Sequence, residues 1–225
     1  MPTAAARRKS ITRPALALVA ARRSANRRPP RPTTLPRYLT QDQVQRFRLA
    51  VQKGRSPRDV ALFGLAYRYG LRAHEATLLE LQDVDLHRRR IRIRRGKGGD
   101  TKEYPLTDDL VPVLRRYLAK RRERGPFLFT GRQSSNQQGL TVLRVQQLFK
   151  HYAKTAGLPQ TVASHSLRHS CAVHALEAGF SLEYVADLLG HRSVRSTVIY
   201  ARITTPAREQ MLKNLSQSRF VVRWS

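Results

Sequence analysis

Acidic residues, cysteines and long apolar runs are all scarce in this sequence. Its 225 residues include 15 Asp and Glu against 43 Lys and Arg, which gives a net charge of +28. Such a surplus exceeds what solubility requires and predicts binding to a polyanion. The single cysteine, Cys171, excludes an intramolecular disulfide framework and favours a reducing cytoplasm. No apolar stretch approaches the roughly 18 residues of a membrane span. Because no long amphipathic anchor accompanies the positive charge, nucleic acid is the expected partner and not an anionic membrane.

Residues 1–36 differ in composition from the rest of the chain. They contain no Asp or Glu, nine Lys or Arg, and prolines at 29, 30, 32 and 36. This composition predicts a basic, disordered DNA-binding arm. The alternative is a solvated tail with no specific role. The remaining length fits one domain, and the 40% hydrophobic content of the chain is enough for a core.

Local patterns predict a mainly α-helical chain with a small antiparallel β-sheet, an α+β fold class. Capping signals begin two helices at Thr40 and Ser56. A third helix is expected over residues 70–81. Arg72 and Glu75 lie three residues apart in it, so the carboxylate would orient the guanidinium group.

The hydrophobic period changes between residues 83 and 106. Isoleucines alternate with arginines there, and a glycine-rich turn follows, which predicts a β-hairpin with Lys97 at its tip. Helices are then expected over residues 107–125, where Thr107 is the cap, and in a segment that ends at Gly157.

The last third of the sequence predicts three further helices. Ser164 is a plausible N-cap for the first, Ser181 begins a second that stops at Gly190, and a third starts near Ser193. After these, residues 206–215 have a helical pattern, and residues 220–224 suit a short strand or a docking tail.

Side chains suited to phosphate chemistry lie in these helices. His165 and Arg168 share one helical face, His191 occupies a turn, and Tyr200 follows on the next helix. A guanidinium group can bind phosphate bidentately, imidazoles can donate or relay protons, and a phenol can be a nucleophile. A zinc site of His165, His169 and His191 is the alternative, but Arg168 and the large positive charge disfavour a cation there.

Taken in order, five motifs resemble the tyrosine recombinase (phage integrase) family. They are Gly-Leu-Arg-x-x-Glu, a Gly-Lys-Gly hairpin, His-x-Leu-Arg-His, Leu-Gly-His and a tyrosine nine residues later. The resemblance implies the catalytic-domain fold of that family over residues 37–202. It also implies six catalytic residues, with no position substituted: Arg72, Lys97, His165, Arg168, His191 and Tyr200.

The resemblance also implies a mechanism. Arg72 and Arg168 would clamp the scissile phosphate, and Tyr200 would attack it to form a 3′-phosphotyrosyl link. Lys97 would protonate the leaving 5′ oxygen. The sequence has no carboxylate cluster suited to a two-metal site, so no metal or other cofactor is expected.

The organisation of the chain suggests a particular branch of the family. Most members carry a separate N-terminal core-binding domain, whereas here only residues 1–36 precede the catalytic region. This is similar to the short, single-domain recombinases that invert fimbrial switch elements, and the His-x-Leu-Arg-His-Ser-Cys run at residues 165–171 matches them.

Double-stranded DNA is therefore the expected partner, bound by a nucleoid-associated protein of the cytoplasm. Residues 203–225 would form a C-terminal helix and tail that docks on a neighbouring subunit, giving a homo-tetramer on paired DNA sites. Two alternative functions stay open at this point. One is a type IB topoisomerase, which relaxes DNA with a similar residue set, and the other is a DNA-binding regulator that does not cut.

Overall fold

The structure, a computed structural model, describes residues 37–96, 101–122, 125–131, 139–191 and 193–201. Lys97, the arm over residues 1–36 and the tail over residues 203–225 lie outside these ranges, so the predictions made for them are not tested. Inside them the chain is mainly helical with a three-stranded antiparallel sheet, which confirms the predicted fold class. None of the described helices is long and apolar enough to cross a membrane.

The described part of the chain contains eight α-helices and two 3₁₀ turns. They are α1 (Gln41–Lys53), α2 (Pro57–Arg68), α3 (Ala73–Thr77), α4 (Leu110–Lys120), α5 (Val142–Thr155), α6 (Ser164–Glu177), α7 (Leu182–Leu189) and α8 (Val198–Ala201), with 3₁₀ turns at Leu81–Asp83 and Val194–Ser196.

Side-chain caps explain where most of these helices begin. Thr40 and Gln43 form the predicted reciprocal capping box before α1, with hydrogen bonds of 3.0 and 3.3 Å. The hydroxyls of Ser56 and Ser181 accept from backbone N–H groups in the first turns of α2 and α7. Helix α7 ends at Gly190, whose φ of 64° is the left-handed conformation that glycine adopts without strain.

The sheet contains the predicted hairpin and one short extra strand. Strands β1 (Val84–Asp85), β2 (Arg90–Arg94) and β3 (Thr101–Pro105) pair in that order. Ile91 pairs with both Val84 and Tyr104, and Ile91 and Ile93 are fully buried. The alternation of isoleucine and arginine therefore separates a core face from a solvent face.

Two of the predicted helices are shorter in the structure. Helix α3 ends at Thr77 and does not continue to Leu81, because the chain leaves the helix to pair with residues 125–131. Leu128 N–H donates to the Leu79 carbonyl at 2.7 Å and Leu81 N–H donates to the Pro126 carbonyl at 2.8 Å. Helix α4 likewise covers only Leu110–Lys120 of the predicted 107–125. At the end of α3, backbone pairing with a distant segment therefore outweighs the local preference for helix.

Helix α6 lies between two hydrophobic clusters and is therefore buried on more than one side. The larger cluster includes Phe47, Phe63 and Phe149 from α1, α2 and α5. The smaller one joins α6 and α7 to α8 and contains Tyr200. Since α6 carries several candidate residues, both clusters position the candidate site.

Candidate active site

Arg168 lies in the middle of α6 and is only 2% exposed. Its Nη1 donates to the Gly70 carbonyl at 2.6 Å, and its Nη2 donates to the Leu189 carbonyl at 2.8 Å. These carbonyls end two distant segments, the one after α2 and the C-terminal turn of α7. The guanidinium group of Arg168 thus links α6 to the segment after α2 and to the end of α7.

The start of α6 differs by one residue from the prediction. Ala163, not Ser164, is the N-cap, and the hydroxyl of Ser166 accepts from the Ala163 N–H at 3.2 Å. His165 and Arg168 still lie in the first half of the helix, but His165 is exposed while Arg168 is buried.

Glu75 is the carboxylate around which the arginines gather. Its oxygens lie 2.5 Å from Nη1 of Arg72, 3.0 Å from Nη1 of Arg95 and 3.7 Å from Nη1 of Arg168. The Arg72 N–H donates to it as well. Burial would raise the pKa of Glu75, but the Arg72 N–H and the charges of Arg95 and Arg168 outweigh it and lower that pKa. Glu75 is therefore a buried carboxylate anion, not the surface partner that an Arg-x-x-Glu pair usually has.

Sequence reasoning missed Arg95. Its side chain is fully buried, and besides Glu75 it donates to the carbonyls of Tyr69, at 3.0 Å, and Leu188. A signal was present in the sequence, because Arg95 continues the inward series of Ile91 and Ile93 by two residues. An arginine on the core face of a strand requires a buried acid, and Glu75 is that acid.

His191 follows the glycine that ends α7. Its Nδ1 lies 2.8 Å from the hydroxyl of Thr197, which is fully buried between the last 3₁₀ turn and α8. Burial, with Arg168, Arg72 and Arg95 nearby, lowers the pKa of His191 to about 4. At neutral pH the imidazole is therefore uncharged.

Tyr200 lies in α8 as predicted, although a 3₁₀ turn at Val194–Ser196 divides the segment that was expected to be one helix. The phenol is 3% exposed, and its hydroxyl oxygen lies 2.9 Å from Nδ1 of His169. Burial raises the pKa of Tyr200, and the charges of Arg168 and Arg72 offset only part of that effect. The free phenol therefore stays protonated at neutral pH.

The three histidines do not arrange as a zinc site. The rings of His165 and His169 are 6.0 Å apart between centroids, and His169 and His191 each direct Nδ1 at a hydroxyl group. Among the residues that the structure describes, no three His, Cys, Asp or Glu side chains are placed to hold a metal ion.

The contacts bring five of the six predicted residues into one connected region. Arg72 and Arg168 meet at Glu75, Arg168 also binds the turn that leads to His191, and Tyr200 contacts the residue after Arg168. His165 lies one helical turn before His169. Lys97 lies outside the described residues. One carboxylate against three guanidinium groups leaves the region positively charged, as an anion site requires.

Comparison with known proteins gives a consistent result. The pattern of the Phage integrase family matches residues 37–206. The tyrosine recombinase XerA of Pyrococcus furiosus is 33% identical over 195 residues, which cover 84% of this chain and 67% of that protein. The tyrosine recombinase XerD of Mycobacterium tuberculosis is 37% identical over 196 residues, covering 80% of this chain and 61% of XerD.

Solved structures resemble the fold at similar coverage. A crystal structure of XerA recombinase superimposes with a TM-score of 0.69 at 27% identity, over 85% of this chain and 68% of that one. A post-cleavage complex of the XerH recombinase with its difH substrate gives a TM-score of 0.68 at 23% identity, over 82% and 54%. The second likeness concerns the fold alone. The chain spans 59–67% of the length of the archaeal XerA proteins that it matches.

Proposed function

We propose a function from one premise: this chain belongs to the phage integrase family, within which it matches tyrosine recombinases. The proposed function is site-specific DNA recombination, by inversion, integration or excision, through a 3′-phosphotyrosyl intermediate. The observation that carries the proposal is the buried Glu75, which gathers Arg72 and Arg168 close to the segment that bears Tyr200. The catalytic domain is assigned to residues 37–202.

The guanidinium groups would bind the scissile phosphate. The side chain of Arg72 is 34% exposed and offers N–H groups to an anion, whereas Arg168 is held rigidly by two carbonyls. Preorganised donors of this kind stabilise the charge that develops on a phosphoryl group without having to reorganise. His165 and His191 would donate to its other oxygens.

The proposed covalent steps are those that the resemblance to the family implies. The Tyr200 oxygen attacks phosphorus, the bond to the 5′ oxygen breaks, and Lys97 supplies the proton that the departing hydroxyl takes up. The new phosphodiester to tyrosine conserves the bond energy, so no nucleotide cofactor is needed. The 5′ hydroxyl of an incoming strand then reverses the step and releases Tyr200.

The decisive experiment uses a nicked suicide DNA substrate that traps the covalent adduct. We expect the wild-type chain to form a protein–DNA adduct, and Tyr200→Phe to bind DNA but form none, since it lacks the attacking oxygen. An adduct of normal yield from Tyr200→Phe would contradict the assignment of the nucleophile. No adduct from the wild-type chain would favour a DNA-binding regulator instead.

A type IB topoisomerase would also form the adduct, so a second assay is required. Such an enzyme acts on single sites, and it would relax a supercoiled plasmid without recombination sites as fast as one that carries a pair. We expect recombinant products only from paired sites.

The partners are proposed as double-stranded DNA and three further copies of the chain, in a homo-tetramer on paired sites of the nucleoid. Residues 203–225 carry Met211, Leu212, Leu215 and Trp224, which are apolar residues suited to docking on a neighbour. A chain that ends after Arg202 should bind single sites and lose the paired complex in a gel-shift assay. Retention of the paired complex would contradict the docking role.

The arm over residues 1–36 is proposed to bind DNA phosphates. If about half of its nine positive charges make contact, its deletion should reduce the slope of log K against log salt by roughly 4 units. Binding to cognate and scrambled duplexes over a salt series measures this slope. An unchanged slope would identify the arm as a passive tail.

A further inference from the structure

His169 is the polar side chain that contacts the proposed nucleophile. Its Nδ1 lies 2.9 Å from the Tyr200 hydroxyl oxygen, and the two ring centroids are 5.7 Å apart. Among the described residues, the other candidate imidazoles make no hydrogen bond to Tyr200, since Nδ1 of His191 meets Thr197 and His165 is exposed. Arg168, the residue directly before His169 in α6, has no lone pair with which to accept a proton.

We propose that His169 takes the proton from Tyr200 during DNA cleavage. As the phenolic oxygen forms its bond to phosphorus and the bond to the 5′ oxygen breaks, the hydroxyl proton moves to Nδ1 of His169. The imidazolium returns that proton when the incoming strand displaces Tyr200. This inference rests on the proposed function and assigns its general base to the second histidine of the His-x-Leu-Arg-His motif.

The surroundings of His169 suit this role. Burial, with His165 and Arg168 on its own helix, lowers the pKa of His169 to about 4, so the free imidazole is neutral at neutral pH and can accept a hydrogen bond. Tyr200 is the titratable group that faces it from α8. Arg72 and Arg168 in turn face Tyr200.

The bound phosphate makes the transfer easier. Its negative charge offsets that of Arg168, which raises the proton affinity of the imidazole. The phenolic proton meanwhile becomes acidic as its oxygen attacks phosphorus, so transfer within the transition state avoids a free phenolate. Without a base, the raised pKa of Tyr200 would leave almost no nucleophile at neutral pH.

The test uses a suicide substrate with a 5′-bridging sulfur at the scissile position. A thiolate leaves without a proton, so the ionisation of Lys97 no longer affects the rate. The full-length chain is assayed by single-turnover adduct formation between about pH 6 and about pH 9, a range over which a general base of low pKa stays deprotonated. We expect a nearly flat profile for the wild-type chain.

His169→Asn separates proton transfer from positioning. Asparagine retains a hydrogen-bonding group near Nδ1 but cannot take up a proton. The rate should fall by about 100-fold near neutral pH and should then rise about tenfold per pH unit, since hydroxide must remove the phenolic proton. His169→Gln should give the same sloping profile, and DNA binding by both variants shows that they are folded.

His174→Asn is the matched control. His174 lies on the same helix, and its Nδ1 lies 2.8 Å from the hydroxyl of Tyr67, so this variant makes the same replacement at a second histidine–tyrosine contact. Its profile should keep the wild-type shape. A flat profile for His169→Asn, at a normal or a reduced rate, would overturn the inference while the wild-type adduct upholds the proposed function. No adduct from the wild-type chain would overturn both.

Discussion

Two buried carboxylates in this fold, Glu75 and Asp83, each bind arginines, but the balance of positive and negative charge around them differs. Both carboxylate side chains are fully buried. Asp83 accepts from Arg92 at 2.9 Å and from Arg94 at 2.7 Å, and Arg94 also binds Glu80 at 2.9 Å. Two acids thus balance two arginines at Asp83, whereas Glu75 alone faces three.

The arginines at Asp83 are also more exposed to solvent than most of those at Glu75. Side chains of Arg92 and Arg94 are 46% and 36% exposed, so water solvates them and their pairing fastens the hairpin to the segment before β1. Arg95 and Arg168, at 0% and 3%, are removed from water beside Glu75. At Glu75 the positive charges outnumber the single acid and two of the three arginines are buried, which is the balance that the proposed phosphate site requires.

Substitution at the two carboxylates should give the largest effect. Glu75→Gln leaves three guanidinium groups without their anion, so we expect a loss of about 3 kcal/mol in the free energy of unfolding. Adduct formation should fall by more than about 100-fold, as expected when preorganised charge is lost. Urea denaturation and the suicide-substrate assay measure the two effects.

Asp83→Asn provides the control for this substitution. It should lose about 1–3 kcal/mol of stability, because it leaves buried partners unsatisfied, but cleavage per folded molecule should stay near that of the wild type. Equal loss of cleavage in both variants would remove the distinction between a site network and a structural one.

Acid should destabilise the folded chain through its partly buried histidines, an effect of intermediate size. The folded chain holds the pKa of His169 and His191 at about 4, below their ordinary 6.5, so the unfolded chain binds more protons between these values. Stability is then complete above about pH 6.5 and is lost progressively as the pH falls towards 4. Denaturation midpoints over this range measure the slope, which His191→Gln should reduce and Asp83→Asn should not. An unchanged slope in His191→Gln would contradict this assignment.

The smallest effect is expected at Arg92. Its side chain is nearly half exposed, so Arg92→Ala should change the free energy of unfolding by less than about 1 kcal/mol. Adduct formation should be unaffected. A loss of cleavage would show that the Asp83 network reaches the site through the hairpin.

The sequence was sufficient for much of this fold because its local signals agree with one another. The Thr40 capping box, the hairpin and the stop at Gly190 were all predicted from short patterns, and the motif spacing predicted the family. The contacts between distant segments were not accessible. Nothing local ends α3 at Thr77, since the cause is backbone pairing with residues 125–131. The contact of His169 with Tyr200 spans 31 positions and follows only from the packing of α6 on α8.

Gly190 shows how little freedom remains at the centre of the site. A Cβ atom there would lie 2.5 Å from Cγ of Arg95, and the backbone φ of 64° is unfavourable for other residues. Any side chain at this position would push Arg95 away from Glu75 and distort the turn that presents His191. The absence of a side chain at Gly190 thus lets Arg95 stay beside Glu75 while the turn keeps its position before His191. Random mutagenesis should therefore yield no active variants substituted at Gly190, whereas the exposed arginines of the hairpin should tolerate substitution.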